Sequence, residues 1–295
     1  MERTVGFIGL GNIGAHMAEH LMNKPERLVV YNRTPAKCQP FVDGGASMTR
    51  TIPEMAGMVD VLFMSLPGPA QVEKTASILM EYGNPGLVVL DTSTVSPKQN
   101  KDLAAAFEQK GMTYIDMPIS GGIAGAIRGT LSLLIGATEE EFDALGLREF
   151  TDQIGDKYFF MKQRGGGSAI KLINNFMAFT TQVINAEAIA MADALGISLD
   201  DFFDVTTRST GNNHLLSTKM GKIKSGNYRP DFTTDLVVKD LELALQLCQD
   251  YQVPNFSLNS AVQFYRLAQA KGHGADDSSS VVSVIRKSYE KEEIF

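Results

Sequence analysis

Residues 1–163 alternate short apolar runs with stretches of helical spacing, and few architectures accommodate that rhythm. TVGFIGL, LVVYNR, VDVLFMSLP, GLVVLDTST, MTYIDMPIS and LSLLIGA read as strands, separated by segments such as the one carrying Ile13, Met17 and Leu21 at steps of four. The pattern predicts an α/β domain built on a mostly parallel sheet covered on both faces. From Ser168 the period changes. Ile170, Ile173, Phe176, Met177, Val183, Ile184 and Ile189 recur at helical spacing up to Leu195, where Gly196 is a stop signal. A helix over 168–195 would be roughly 40 Å long. Asn174, Asn175, Gln182 and Glu187 make it too polar to cross a bilayer, so it reads as a spine linking two lobes. The expected division is an alternating α/β domain over 1–163 and an all-helical domain over 164–295 that includes this linking helix. KGHGADDSSS, residues 271–280, reads as a short polar loop.

A chain of 295 residues with 44% hydrophobic content can fill two cores. Its net charge of −7 is spread along the chain, which argues against nucleic acid as a partner. Cys38 and Cys248 are far apart and imply no disulfide framework, so a reducing, cytoplasmic compartment is expected. MERTVGFIGLG enters a strand directly, without the features of an export or transit segment, and no apolar run approaches the roughly 18 residues of a membrane span. His16, His20, His214 and His273 do not combine with acids or cysteines at ligand spacing, so no metal is expected.

GLGNIG places Gly9, Gly11 and Gly14 in the spacing GxGxxG, directly after VGFI and at the start of a helical pattern. There the backbone from Gly9 through Leu10, Gly11, Asn12 and Ile13 to Gly14 can pass close to a pyrophosphate, whose charge meets free N–H groups. Glycine-rich strand-to-helix turns also serve tight packing, but the position at the head of an alternating domain favours a dinucleotide. The second strand ends in YNRT. Where NAD-binding chains usually carry an acid for the ribose diol, this one has Asn32, followed by Arg33 and Thr34. A guanidinium and a hydroxyl suit a 2′-phosphate that an acid would repel, which favours NADP(H) and leaves NAD(H) possible. A solvent-exposed turn before Pro35 is the alternative.

After MTYID comes MPISGGIAGAIRG, with Gly121, Gly122, Gly125 and Gly129. Such a stretch forms either a backbone nest for a carboxylate, assisted by the Ser120 hydroxyl, or a flexible surface loop. Further on, RGGGSAIKLINN runs three glycines into a helix. Lys171 and Asn175 are four apart and share a face, so both can point at one ligand. On a peripheral helix such a lysine would only be solvated; on a central spine it is a candidate.

These blocks together resemble the β-hydroxyacid dehydrogenase family. GFIGLGNIGAHMAEHL is similar to its cofactor signature, DMPISGGIAGAIRG to its substrate signature, GGGSAIKLINN to its catalytic signature and KDLELAL, from Lys239, to a further cofactor block. The resemblance spans essentially the whole chain. It implies a Rossmann domain, a helical C-terminal domain and hydride transfer between NADP(H) and a small carboxylate-bearing aldehyde or hydroxy acid. By the same resemblance Lys171 is the general acid/base and Asn175 orients it or the substrate. Ser120, Gly121 and Gly122 would hold the carboxylate, Leu66, Pro67, Thr94, Phe232 and Lys239 would line the cofactor, and Asp240 would lie close to the substrate. The pattern of the residues alone reads Lys239 and Asp240 as exposed helix charges.

Three places depart from the family pattern: Met117 where alanine is common, Asn12 before Ile13 where methionine is frequent, and Asn212, Asn213 and His214 in STGNNHLL. The last bears on substrate identity. The preferred activity is of the 3-hydroxyisobutyrate dehydrogenase type, with glyoxylate/succinic semialdehyde or tartronate semialdehyde reduction as alternatives; a non-catalytic dinucleotide-binding module is the rival of another class. A lysine that accepts a proton near neutrality must titrate below its ordinary ~10.4, so oxidation is expected to run faster at alkaline pH. An extended helical lobe also suggests a homodimer or homotetramer.

Overall fold

The computed structural model describes residues 2–289. Residues up to Lys171 pack as one compact unit and those from Leu172 as another. In the first, β1 (Val5–Ile8), β2 (Leu28–Tyr31), β3 (Ser47–Met48), β4 (Val61–Met64), β5 (Val88–Asp91) and β6 (Thr113–Asp116) form a parallel sheet. Its strand order is β3-β2-β1-β4-β5-β6, the doubly wound arrangement whose winding reverses between β1 and β4.

Strand alternation sends successive side chains to opposite layers. Phe7, Val30, Phe63, Leu90 and Ile115 enter one core, while Ile8, Val29, Met64, Val89 and Tyr114 enter the other. Phe7 and Phe63 stack at 5.8 Å across the β1–β4 pair. The connecting helices are α1 (Gly14–His20), α2 (Gln39–Asp43), α3 (Ile52–Ala56), α4 (Pro69–Tyr82), α5 (Pro97–Glu108), α6 (Gly122–Arg128), α7 (Glu139–Ala144) and α8 (Arg148–Thr151). Local chemistry starts several of them. Ser96 accepts the Gln99 N–H at the head of α5, just before Pro97, and Thr138 accepts the Glu141 N–H at the head of α7.

Two readings of this unit change. LSLLIGA does not extend the main sheet: it forms β8 (Leu131–Ile135) in a separate three-stranded sheet, antiparallel to β7 (Ile119–Ser120) and parallel to β9 (Gly155–Phe160). GDKYFF, the sequence of β9, went unrecognised because its charged start hides a strand whose Tyr158 and Phe160 alone reach the core. The glycine-rich 121–129 stretch is not a surface loop but mostly helix α6, with Gly121 (φ 128°) entering it and Gly129 (φ 66°) closing it.

The linking helix, α9, spans Gly166–Ala194 and so starts two residues before the expected Ser168. It is followed by α10 (Leu199–Thr206), α11 (His214–Ser225), α12 (Thr234–Asp250), α13 (Phe256–Ala268) and α14 (Val281–Tyr289). Leu172, Phe179, Val183, Val237, Leu241, Val262 and Tyr265 belong to the second unit's core. Only the first part of 271–280 is the expected polar loop: Lys271, Gly272 and Ala275 are exposed, but Asp277 and Ser278 to Ser280 are buried. Asp277 takes the Lys219 ammonium at 2.9 Å and the Asp231 N–H at 2.9 Å, which pins the segment leading into α12. Among the described residues no helix is long and apolar enough to cross a membrane.

Candidate active site

Parallel strands end at one edge of the sheet, where loops meet ligands in this architecture. Gly9 follows β1 with φ 101°, and a β-carbon there would lie 2.1 Å from the Ser65 carbonyl oxygen. At Gly14 it would lie 2.0 Å from the Gly9 oxygen, whereas at Gly11 it would meet nothing within 4 Å. Two of the three glycines therefore close the turn and the third leaves open space beside the backbone, which suits a pyrophosphate. Asn32 is part of this turn: its Oδ1 accepts the Leu10 N–H at 3.0 Å and its Nδ2 donates to the Thr34 carbonyl at 3.1 Å. Arg33 and Thr34 are exposed beyond it, as are Asn12 and Pro67. On the far side of β1 the Leu66 N–H donates to Ser93 Oγ at 2.9 Å, tying the loop after β4 to the one after β5 that carries the half-buried Thr94.

Buried acids end two of the strands. Asp91 Oδ1 accepts the Ser93 N–H at 2.9 Å, and its Oδ2 accepts the Tyr114 hydroxyl at 2.6 Å. Burial first, then the Asp91 charge, holds that hydroxyl protonated well above the usual tyrosine range. Tyr114 Oη also lies 3.1 Å from the Asn100 carboxamide, whose other end lies 2.6 Å from Ser168 Oγ. Asp116 accepts the Gly165 N–H at 2.7 Å and the Ser168 N–H at 3.0 Å. Burial nevertheless pushes its carboxyl up to about 6, against the pull of those N–H groups and of Arg164. A β-carbon on Gly136 would sit 1.9 Å from Asp116 Oδ1, so only glycine fits there.

The three glycines of RGGGSAIKLINN are explained here. β-Carbons at Gly165, Gly166 and Gly167 would strike the Pro97 oxygen at 2.5 Å, Met161 Cβ at 2.6 Å and the Leu134 oxygen at 2.1 Å. What they admit at close range is the first unit's own chain. They seat the first turn of α9 against it, and Lys171, half-buried, follows Ser168 by one turn. Ser120 ends β7, and Gly121 and Gly122 (φ 63°) follow at the mouth of α6, with nothing within 4 Å of an added β-carbon at Gly122.

In the second unit, Asn175 Nδ2 donates to Asp240 Oδ2 at 2.6 Å, and Lys239 Nζ pairs with Asp240 Oδ1 at 2.9 Å. Asp240 is 1% exposed, so the reading of an exposed helix charge is wrong for it; Lys239 keeps partial exposure. The reason is periodicity. Asp240 falls on the α12 face that carries Val237, Leu241 and Ala244 into the core. Phe232 stacks on Phe179 at 5.4 Å, one turn of α9 beyond Asn175. Asn213 caps α11 through Leu216 N–H and pairs both amide ends with Asn185, while His214 is exposed. Met117 is buried in the sheet core.

Residues 4–161 match the model of the NAD binding domain of 6-phosphogluconate dehydrogenase, and residues 165–285 match that of the NAD-binding of NADP-dependent 3-hydroxyisobutyrate dehydrogenase. The chain belongs to the β-hydroxyacid dehydrogenase family. It is accordingly an NAD(P)-dependent dehydrogenase acting on hydroxyl groups. A 2-(hydroxymethyl)glutarate dehydrogenase of Eubacterium barkeri is 31% identical over 96% of both chains, and the human mitochondrial 3-hydroxyisobutyrate dehydrogenase is 30% identical over 97% of this chain and 88% of that one. Among solved structures, a Mycobacterium tuberculosis 3-hydroxyisobutyrate dehydrogenase with L-serine superposes with TM-score 0.87 at 27% identity, covering 97% of this chain and all of the other. An imine reductase of Myxococcus stipitatus shares the fold alone, at 19% identity and TM-score 0.64.

Family membership leaves one group of buried residues without a part. Asp91, Asn100, Tyr114, Asp116 and Ser168 form a polar cluster that the sequence reading missed. The signal was present in VVLD and TYID, where an acid closes an otherwise apolar strand.

Proposed function

We propose that this family member interconverts a small β-hydroxy acid and its semialdehyde with NADP(H), using Lys171 as general acid/base. The observation that carries the reading is the shared α9 face of Lys171 and Asn175, with Asn175 held by the buried Asp240 carboxylate at 2.6 Å. A carboxylate kept inside a helical core is costly unless it is bonded, and here its partners are two residues of the proposed site. The bound nicotinamide supplies hydride in reduction and takes it in oxidation. In reduction the Lys171 ammonium donates a hydrogen bond to the carbonyl oxygen and then gives it a proton as alkoxide charge develops; in oxidation the neutral amine takes the alcohol proton. Asn175 orients the substrate or the lysine. Ser120 with the Gly121 and Gly122 N–H groups binds the substrate carboxylate, and their positive φ keeps these positions for glycine. Gly9 to Gly14, Leu66, Pro67 and Thr94 hold the dinucleotide, with Phe232 and Lys239 along it.

The substrate preference is of the 3-hydroxyisobutyrate type, supported by the relatives of that name. A steady-state screen tests the proposal: 3-hydroxyisobutyrate and 2-(hydroxymethyl)glutarate for oxidation, and methylmalonate, succinic and tartronate semialdehydes and glyoxylate for reduction, each with both nucleotides. Absence of turnover with every compound overturns it.

Preference for NADP(H) rests on Asn32, Arg33 and Thr34. Asn32 already spends its oxygen on the Leu10 N–H, no acid ends β2, and Arg33 is exposed beside the turn. A neighbouring structure of the same fold, Psf3, is in complex with NADP+. Arg33→Ala is expected to raise the NADPH KM by roughly 10-fold or more, the scale of one lost charge-assisted contact, and to leave the NADH KM nearly unchanged. Equal effects on both nucleotides would remove the 2′-phosphate assignment.

The enzyme acts as a homodimer or homotetramer in the cytoplasm. Ile173, Met177, Ile184, Met191 and Leu195 lie along one face of α9 and are all exposed, with Met191 at 66% and Leu195 at 74%. That stripe lies opposite the Lys171 and Asn175 face, and its 3.5-residue period suits a second helix. Met191→Asp should shift sedimentation to the monomer; an unchanged coefficient would refute this interface.

A further inference from the structure

The buried cluster between β5, β6, α5 and the head of α9 is one continuous chain of hydrogen bonds. Tyr114 owns one hydroxyl proton, and Asp91 Oδ2 at 2.6 Å takes it. Tyr114 Oη also meets Asn100 Oδ1 at 3.1 Å, and Asn100 Nδ2 donates to Ser168 Oγ at 2.6 Å. The chain is continuous, from Ser168 through the Asn100 carboxamide and the Tyr114 hydroxyl to Asp91. Asp91 in turn holds the Ser93 N–H, and Ser93 Oγ holds the Leu66 N–H.

We propose that Asn100 and Tyr114 are positioning residues: through this chain they fix the first turn of α9, and Lys171 with it, to the loops after β4 and β5 that hold the dinucleotide. Ser168 is the joint. Its hydroxyl enters the chain, its N–H is held separately by Asp116, and Lys171 stands one helical turn further on. Every member is buried, so water cannot replace a lost partner, and the members act as a unit. The proposal rests on the reading of Lys171 given above.

The test uses the full chain with Tyr114→Phe, Ser168→Ala and the double variant. Each single change is expected to lower kcat by roughly 10-fold with the KM values for nucleotide and substrate within about 2-fold, because it misplaces the acid without removing a binding contact. The double variant should lose little more than the worse single one, as linked groups do. Independently of turnover, hydrogen–deuterium exchange of residues 164–171 should accelerate by roughly 10-fold in Tyr114→Phe, with β1 and β2 unchanged. A lowered melting temperature with unaltered kcat in the folded protein, or additive losses, would reduce the chain to a stabilising role and overturn the proposal. Should wild type turn over no substrate, the reading of Lys171 has failed instead, and the exchange experiment alone decides: unchanged exchange at 164–171 overturns the positioning. Ser168→Ala, which deletes one atom from the opposite end, serves in place of Tyr114→Phe if the latter does not fold.

Discussion

Lys171→Ala is expected to reduce kcat in both directions by ~100-fold or more, the scale on which positioned general acid–base residues contribute. The dinucleotide dissociation constant should change by less than about 3-fold, since the proposed contacts to it come from other residues. Alanine is the strongest helix former, and the first turn of α9 is seated by Gly165, Gly166, Gly167, Ser168 and Asp116, so the fold should survive. The loss is therefore a loss of chemistry. Pre-steady-state measurement sharpens this: the hydride step itself should slow, and a small primary amine added to the variant should recover part of the rate. Wild-type rates in the variant would leave the chain a dehydrogenase with a different acid.

What could be read from the sequence is what depends on near neighbours in the chain. GLGNIG announces its turn because Gly9, Gly11 and Gly14 act within six residues of one another, and Lys171 and Asn175 share a face by helical arithmetic alone. The strands β1, β4 and β5 were legible for a related reason: burial on both faces makes them almost wholly apolar, Asp91 at the end of β5 excepted. Long-range polar pairing leaves no such trace. Tyr114 is 23 residues from Asp91, Ser168 is 68 from Asn100 and Asp240 is 65 from Asn175, and in each case a polar residue alone reads as solvated. Asp277 and its serines were misjudged for the same cause, since only the fold brings Lys219 and Asp231 to them. Glycine carried a double meaning as well. Local sequence shows that Gly165 to Gly167 permit a close approach, but not that the approaching groups are Pro97, Met161 and Leu134.

Asp116→Ala should be the most damaging single change to stability at this end of α9, and its cost should depend on pH. The Gly165 and Ser168 N–H groups lose their acceptor and stay buried, at about 1–3 kcal/mol each. A total of about 2–6 kcal/mol at pH 7.5 corresponds to a melting temperature lower by roughly 5–15 °C. The pH term follows from the carboxyl being raised to about 6 in the folded chain. Between its unfolded value of ~3.9 and ~6 the folded state binds the proton that the unfolded state has released, so this residue's contribution to stability falls as pH rises through that window and is constant above it. Wild type therefore carries about 2 kcal/mol more stability from Asp116 at pH 4.5 than at pH 7.5, and the alanine variant has none of it. The gap between the two proteins should widen by that amount on acidification, as read by urea unfolding at the two pH values. A gap that is constant or that narrows in acid would mean the carboxyl is already ionised in the folded chain at pH 4.5, and that the helix head is held by charge rather than by a buried, protonatable acceptor.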